Sequence, residues 1–372
     1  MTAEADRRFL ALAIRLGARG LGTVWPNPAV GCVIVKGGRI VGRGWTQPGG
    51  RPHAERMALA AAGDHARGAT AYVSLEPCAH HGKTPPCAEA LIVAGVSRVV
   101  SALEDPDPRV AGRGHAMLRA AGISVDTGLL GAEAQHLQRG FLSRIRRGRP
   151  MVTLKLATSL DGRIATRIGE SQWITGPEAR RMVHLMRARH DAVLVGAGTA
   201  RADDPLLNVR GIGPMAQPLR LVAAQKLDLP QTGRLAASAR DLPLWLLHGP
   251  TAPADRRAAW QALGARLIEV PDAVEGRGLD PAALLAGLGD IGLTRIFCEG
   301  GGAFAGALLK AGLVDDLVLF SAGITLGAEA RPAIGALSLD HLADAGHFEL
   351  RESRQVGADL YSLWSDPASS SV

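Results

Sequence analysis

Aromatic residues are scarce in this chain: six Trp, six Phe and two Tyr, 4% of 372 residues. A surface that stacks nucleobases needs rings interleaved with cations, and none stands among the arginines of "RIRRGRP" at 144 to 150. That argues against a nucleic-acid partner. Cysteine is scarcer still, with four residues, too few for a disulfide framework in so long a chain. Charges interrupt every apolar segment of "MTAEADRRFLALAIRLGARG" at the N-terminus, so neither a signal peptide nor a membrane span fits. A cytoplasmic location without a membrane partner is the expectation.

What is present is a globular composition, 47% hydrophobic and 21% charged. The length suits two domains. A net charge of +7 suits an anionic partner such as a phosphorylated metabolite, a dinucleotide or nucleic acid, although the arginines are otherwise spread as on a solvated surface. The runs "AVGCVIV" and "RIVGRGW" read as a hairpin about Lys36-Gly37-Gly38. A helix from about His53, a strand "ATAYVSL", a helix from about Cys87 to Ala94 and a strand "SRVVSAL" complete a compact α/β pattern. "RIRRGRP" lacks apolar periodicity and ends in proline, which places a boundary there and predicts domains 1–147 and 148–372. Beyond it "MVTLKLA", "DAVLVGAG", "LRLVAA", "LPLWLL", "ARLIEV", "TRIFCEG" and "DDLVLFSAG" alternate with helical stretches as βαβ units, and "HFELRESRQVGADLYSLWS" reads as a closing hairpin.

A catalytic zinc ion takes three protein ligands and leaves a fourth position open. His53, Cys78 and Cys87 supply that number, and His53 and Cys87 each follow a proline at a helix start, where helix amides favour a thiolate. Glu55 then lies near the ion and can carry a proton from water to a leaving amine. The set resembles the zinc nucleobase deaminases, which carry H-x-E followed by P-C-x-x-C. Here eight residues, "AHHGKTPP", separate the two cysteines, and His80, His81, Lys83 and Thr84 within them offer groups for a phosphate. A closed zinc site that only stabilises the fold is the bland alternative. Cys32 and Cys298 lie in apolar strands and read as core.

"WPNPAVGCVIV", "PHAE", "EPCAHHGKTPPC" and "DPDPRVAGRG", in that order, resemble the bifunctional riboflavin-biosynthesis deaminase-reductase family. The resemblance implies zinc on His53, Cys78 and Cys87, Glu55 as proton shuttle, Asn27 on the pyrimidine, and His80 and Lys83 near the ribose phosphate. Asp107 stands where the family often has Asn. The implied fold is a cytidine-deaminase-like three-layer α/β/α domain followed by a dihydrofolate-reductase-like α/β domain.

In the second half, "VGAGTARADDP" and "FCEGGGAFAGALL" are glycine-rich turns that would let backbone amides approach a phosphate. Neither is G-x-G-x-x-G, so a Rossmann site is excluded. With "LKLATSLDGRIA", "GESQWITG" and "ADDPLLNVR" they resemble the reductase half of the same family. That likeness implies NADPH and an oxidoreductase step, with Lys155, Asp203 and Glu299 around the reacting carbon. It further implies Ser171, Arg187, Leu207, Arg210 and Glu299 on the substrate, and Ala157, Trp173, Thr199, Asp203 and Gly300 to Gly302 on the cofactor. One departure is Ala224-Gln225, where the family commonly has Asp followed by Ser or Thr.

The leading expectation is therefore a bifunctional, multifunctional enzyme: a zinc hydrolase acting as pyrimidine deaminase, joined to an NADPH-dependent reductase, both acting on one phosphorylated pyrimidine. A deaminase-only protein or regulator with a degenerate second domain is one alternative, and a nucleic-acid base deaminase is another. A homo-oligomer is expected from the symmetry of most soluble assemblies.

Overall fold

The computed structural model describes residues 2–80, 85–107, 111–274 and 278–370. It divides into two compact units, residues 1–147 and 148–371. In the first unit the order is α1 (Ala3–Gly17), β1 (Gly31–Lys36), β2 (Arg39–Trp45), α2 (Ala54–Ala62), β3 (Thr70–Val73), α3 (Cys87–Val93), β4 (Arg98–Ser101), α4 (Arg113–Ala120), β5 (Ser124–Thr127) and α5 (Gly131–Arg147). The sheet runs β2-β1-β3-β4-β5, with β1 antiparallel to both neighbours and the last three strands parallel. Lys36 pairs with Arg39 across Gly37 and Gly38, whose φ angles of 55° and 77° suit the expected two-residue hairpin turn.

Successive residues of β1 point to opposite faces, and both faces are covered. Cys32 and Ile34 pack with Ala54 and Ala58 of α2, Leu91 of α3 and Leu118 of α4. Val33 and Val35 pack with Leu10 and Ile14 of α1 and with Ala134 and Leu137 of α5. This is the three-layer α/β/α arrangement the motifs implied. The arginine-rich segment differs from expectation: Arg144, Arg146 and Arg147 form the last turn of α5. Cations are favourable at the carbonyl end of a helix, so their polarity masked the helix without breaking it.

The second unit contains β6 (Met151–Ser159), β7 (Arg163–Ala165), α6 (Pro177–Ala188), β8 (Ala192–Gly196), α7 (Ala197–Asp203), β9 (Leu219–Ala223), α8 (Arg234–Ala237), β10 (Leu244–His248), α9 (Ala254–Ala262), β11 (Arg266–Glu269), α10 (Pro281–Ile291), β12 (Arg295–Cys298), α11 (Gly302–Lys310), β13 (Asp316–Ala322), β14 (Arg331–Pro332), β15 (Glu349–Val356) and β16 (Asp359–Ser365). Its nine-stranded sheet runs β11-β10-β9-β8-β12-β6-β13-β16-β15, parallel up to β13 and antiparallel at the closing hairpin. The chain moves outward from β8 to β11 and returns to insert β12 between β8 and β6. Ligands of parallel sheets bind at the carboxyl ends of strands where the order reverses in this way. Among the described residues no helix is long and apolar enough to cross a membrane.

Beneath that sheet His190 is buried, with Nδ1 donating to Met186 O at 2.7 Å, Nε2 3.1 Å from Thr153 Oγ1, and its ring 5.1 Å from that of Phe297. Burial pushes its pKa from the ordinary 6.5 down to about 4. Between those values the unfolded chain binds a proton that the folded chain refuses. Stability is therefore full above pH 6.5 and falls as the pH drops toward 4, by about 3 kcal/mol for this group. Urea unfolding followed by tryptophan fluorescence at pH 7 and pH 5 should show a smaller acid loss in His190→Gln than in the wild type. Equal losses would refute the assignment.

Candidate active sites in the two units

His53 is the N-cap of α2 and Cys87 the first residue of α3, while Cys78 lies in the loop that follows β3. His53 Nδ1 lies 3.6 Å from Cys78 Sγ and 3.4 Å from Cys87 Sγ. Nitrogen and sulfur ligands about 2.1 and 2.3 Å from a tetrahedral zinc ion would stand roughly 3.5 Å apart. The donors thus form a triangle of the right size for zinc, and their chemistry is that of a catalytic site with one position open. The Cys87 amide donates to Cys78 Sγ at 3.3 Å. Hydrogen bonds from Cys87 and His53 prevail over burial and hold the Cys78 thiol well below its ordinary value, as a metal-binding thiolate requires.

Glu55 is 3% exposed in the first turn of α2. Burial, then the Cys78 charge, pushes its carboxyl up to about 7, with His53 opposing. A hydrogen bond with Cys87 also opposes the rise, so the carboxyl faces the would-be metal ligands and is poised to exchange a proton near neutral pH. Asn27 packs against Gly50, where a Cβ would lie 1.9 Å from Asn27 Nδ2. Only glycine, here at φ 81°, lets the segment leading to His53 lie so close. His80 Nδ1 is buried with no hydrogen-bond partner among the described residues. Lys83, with His81 and Thr84, lies outside the described residues. Asp107 is buried, and its amide donates to Asp105 Oδ1 at 2.9 Å.

In the second unit, the parallel strands β12 and β8 end beside the middle of β6, which runs on to Ser159. Cys298 pairs with Leu154 and with Leu194, so Lys155 and Glu299 follow on neighbouring strands. Arg187 of α6 grips Glu299 with two hydrogen bonds, Nε to Oε1 and Nη2 to Oε2, and its Nη1 donates to Asn208 O at 2.7 Å. Burial alone would raise the Glu299 pKa, but Arg187, Lys155 and His184 outweigh it and hold the carboxylate below its ordinary value. Glu299 therefore works as an ion. Lys155 is also lowered, which for an amine favours the neutral form: burial lowers its pKa, Arg187 adds to this, and Glu299 and Asp203 oppose it. Burial raises Asp203, while the Ser171 hydroxyl, 3.4 Å from its Oδ1, opposes the rise.

A cleft of about 820 Å³ opens beside these strand ends, lined by Ser171, Thr199, Asp203, Gln225 and the Gly300 to Gly302 turn. Gly300 and Gly301 have φ angles of 66° and 96°, and a Cβ on Gly301 would meet Thr199 Oγ1 at 2.6 Å. The turn thus needs glycine for conformation and for close approach, and it leads straight into α11. That suits a phosphate of a dinucleotide. Gln225 is held by Asp272 Oδ1 at 2.7 Å and by the Gly278 amide at 3.2 Å, and so forms part of the cleft wall. Ala224 is fully buried. Ala157 pairs with Phe320 on β13, and Trp173 is 63% exposed with the Arg180 guanidinium 4.6 Å from its ring centre. The Leu207 side chain is buried in the core, so only its backbone can face a ligand.

Sequence reasoning passed over Asn208 and His184. The Asn208 carbonyl accepts from Arg187 and lies 3.2 Å from His184 Nδ1, while its side chain accepts from Arg210 at 2.9 Å. Asn208 thus sets both arginines. Its place between Leu207 and Arg210 in "ADDPLLNVR" was the available signal.

The two units have separate family matches. Residues 3–103 match the cytidine and deoxycytidylate deaminase zinc-binding region, and residues 150–362 match the RibD C-terminal domain. Fold and sites together define a zinc-binding deaminase unit followed by an NADPH-dependent reductase unit. The chain is 46% identical to riboflavin biosynthesis protein RibD of Escherichia coli (strain K12), over 95% of this chain and 98% of that one. It resembles Acinetobacter baumannii RibD with a TM-score of 0.87 and 38% identity, covering 97% of this chain and 99% of that one. A Thermotoga maritima structure, a diaminohydroxyphosphoribosylaminopyrimidine deaminase/5-amino-6-(5-phosphoribosylamino)uracil reductase, gives 0.84 and 31% over 98% and 99%. The chain belongs to the RibD family of bifunctional riboflavin-biosynthesis enzymes.

Glu299→Gln would leave the Arg187 guanidinium buried without its counter-charge. The expected result is a loss of about 3 kcal/mol in stability and a reductase that binds substrate poorly, with deamination intact. Chemical unfolding and separate assays of the two activities check this, and a fully stable variant would show that the pair is dispensable.

Proposed function

We propose that the first unit hydrolytically deaminates 2,5-diamino-6-(5-phosphoribosylamino)pyrimidin-4(3H)-one to 5-amino-6-(5-phosphoribosylamino)uracil, and that the second reduces the ribosyl group of that product to ribityl with NADPH. The observation that carries the first step is the triangle of His53 Nδ1 with the sulfurs of Cys78 and Cys87, beside the buried Glu55. Zinc held there supplies a water acidic enough to react near neutral pH. Glu55 takes a proton at its carboxylate and returns it to the leaving amine. Asn27 orients the pyrimidine, and His80, its buried Nδ1 without a partner among the described residues, together with Lys83, holds the ribose phosphate.

For the second step NADPH supplies the hydride. Thr199, Asp203 and the Gly300 to Gly302 turn hold the cofactor in the cleft, with Ala157 and Trp173 at its nicotinamide end. Lys155, its ammonium form disfavoured by burial, gives up a proton to favour the ring-opened imine. The Glu299 carboxylate, fixed by Arg187, and Asp203 stabilise the positive charge that develops. Ser171, Arg210 and the Leu207 backbone complete the substrate seat. The family match across both units does not favour a deaminase-only protein, a regulator or a nucleic-acid deaminase. A cytoplasmic location and a symmetric homo-oligomer belong to this proposal.

Mass spectrometry of the diaminopyrimidinone ribosyl phosphate after incubation with zinc-loaded protein tests both steps. Amine should be lost without NADPH, and two hydrogens should be gained when NADPH is present. Glu55→Gln should retain zinc and lose about 10²- to 10⁴-fold in deamination rate. Wild-type turnover in that variant would remove Glu55 from the mechanism.

A further inference from the structure

Between the end of β3 and Cys78, the chain passes through Glu76, a residue only 3% exposed. Its Oε2 accepts from the amides of Asp105 at 3.1 Å and Gly112 at 2.9 Å, and its Oε1 from those of Gly114 at 2.9 Å and His115 at 3.2 Å. Its own amide donates to Leu103 O at 2.9 Å. A buried carboxylate needs such partners, and here all four come from one stretch of backbone about thirty residues downstream. The same stretch is docked independently: a Cβ on Gly114 would lie 1.9 Å from the carbonyl oxygen of Pro77, the residue before Cys78. The start of α4 therefore rests directly on the chain that delivers a metal ligand.

Glu76, Glu104 and His115 are close enough together to suggest a second cation site. The four amides already occupy both Glu76 oxygens, so the carboxylate serves the backbone. What the amides bring with them is Asp105 and Asp107, both buried and linked to each other by the Asp107 amide. The bond from the Glu76 amide to Leu103 O and the close approach of Gly114 to Pro77 tie both ends of this segment to the chain that carries Cys78.

We propose that Glu76 is a positioning residue for deamination: its four backbone hydrogen bonds fix the Asp105–Asp107 segment relative to Cys78 and so set how tightly the substrate is held. The proposal rests on the deaminase reading above. Glu76→Gln turns an amide NH₂ toward backbone donors and leaves part of the stretch unsatisfied. In the zinc-loaded full chain the KM for deamination should rise about tenfold while kcat stays within about threefold. Zinc content should remain that of the wild type, and reduction of the deaminated substrate by the same chain should not change. Glu76→Asp, which keeps the charge, should recover part of the KM.

A fall in kcat at unchanged KM, loss of zinc, or wild-type values of both constants would overturn the proposal. If the wild type itself fails to deaminate, it is the deaminase reading that has failed. Hydrogen exchange on the wild type tests the same lock without a mutation. The amides of Gly112, Gly114 and His115 should be protected without substrate, and free exchange there would overturn preorganisation by Glu76.

Discussion

One imidazole nitrogen and two sulfurs must stand roughly 3.5 to 3.8 Å from one another to hold a tetrahedral ion, and the first unit is arranged around that requirement. The three donors come from two helix starts and one strand-end loop, elements that a central sheet buried on both faces can hold still. The spacing is met by His53, Cys78 and Cys87 through backbone placement. The Cys87 amide donating to Cys78 Sγ shows that the backbone also tunes the ligands. Glu55 gains its character from the same constraint, since the sheet and helices that fix the donors also exclude water from its carboxyl.

The second unit meets a different requirement with similar means. It places a carboxylate, Glu299, and an amine, Lys155, in one buried neighbourhood, where burial raises the pKa of the acid and lowers that of the base. Arg187 resolves this by holding Glu299 ionised while its own charge opposes protonation of Lys155. The reversal of strand order at β8, β12 and β6 puts these side chains at one end of the sheet, next to a cleft whose glycine turn admits close backbone approach.

Much of this was legible in the residues, and the reason is locality. The metal ligands sit in short motifs bounded by prolines, the hairpin at Gly37-Gly38 carries its own turn chemistry, and most strands are continuous apolar runs. What escaped was either polar or distant. The end of α5 was hidden by its arginines, and β7 and β14 are too short to show a period. Arg187 and Glu299 are separated by 112 residues, and Glu76 binds amides 29 to 39 residues away. Bonds to backbone leave no trace in side-chain identity, which is why Glu76 and Asn208 read as unremarkable letters.

The division at residues 147 and 148 separates two units that each possess their own sheet and their own family match. Because a peptide bond joins them, every translated copy delivers one centre of each kind. Stoichiometry is thereby written into the polymer and needs no matched expression of two genes. A cell making this chain cannot accumulate the capacity to produce the deaminated sugar amine without an equal number of sites able to consume it.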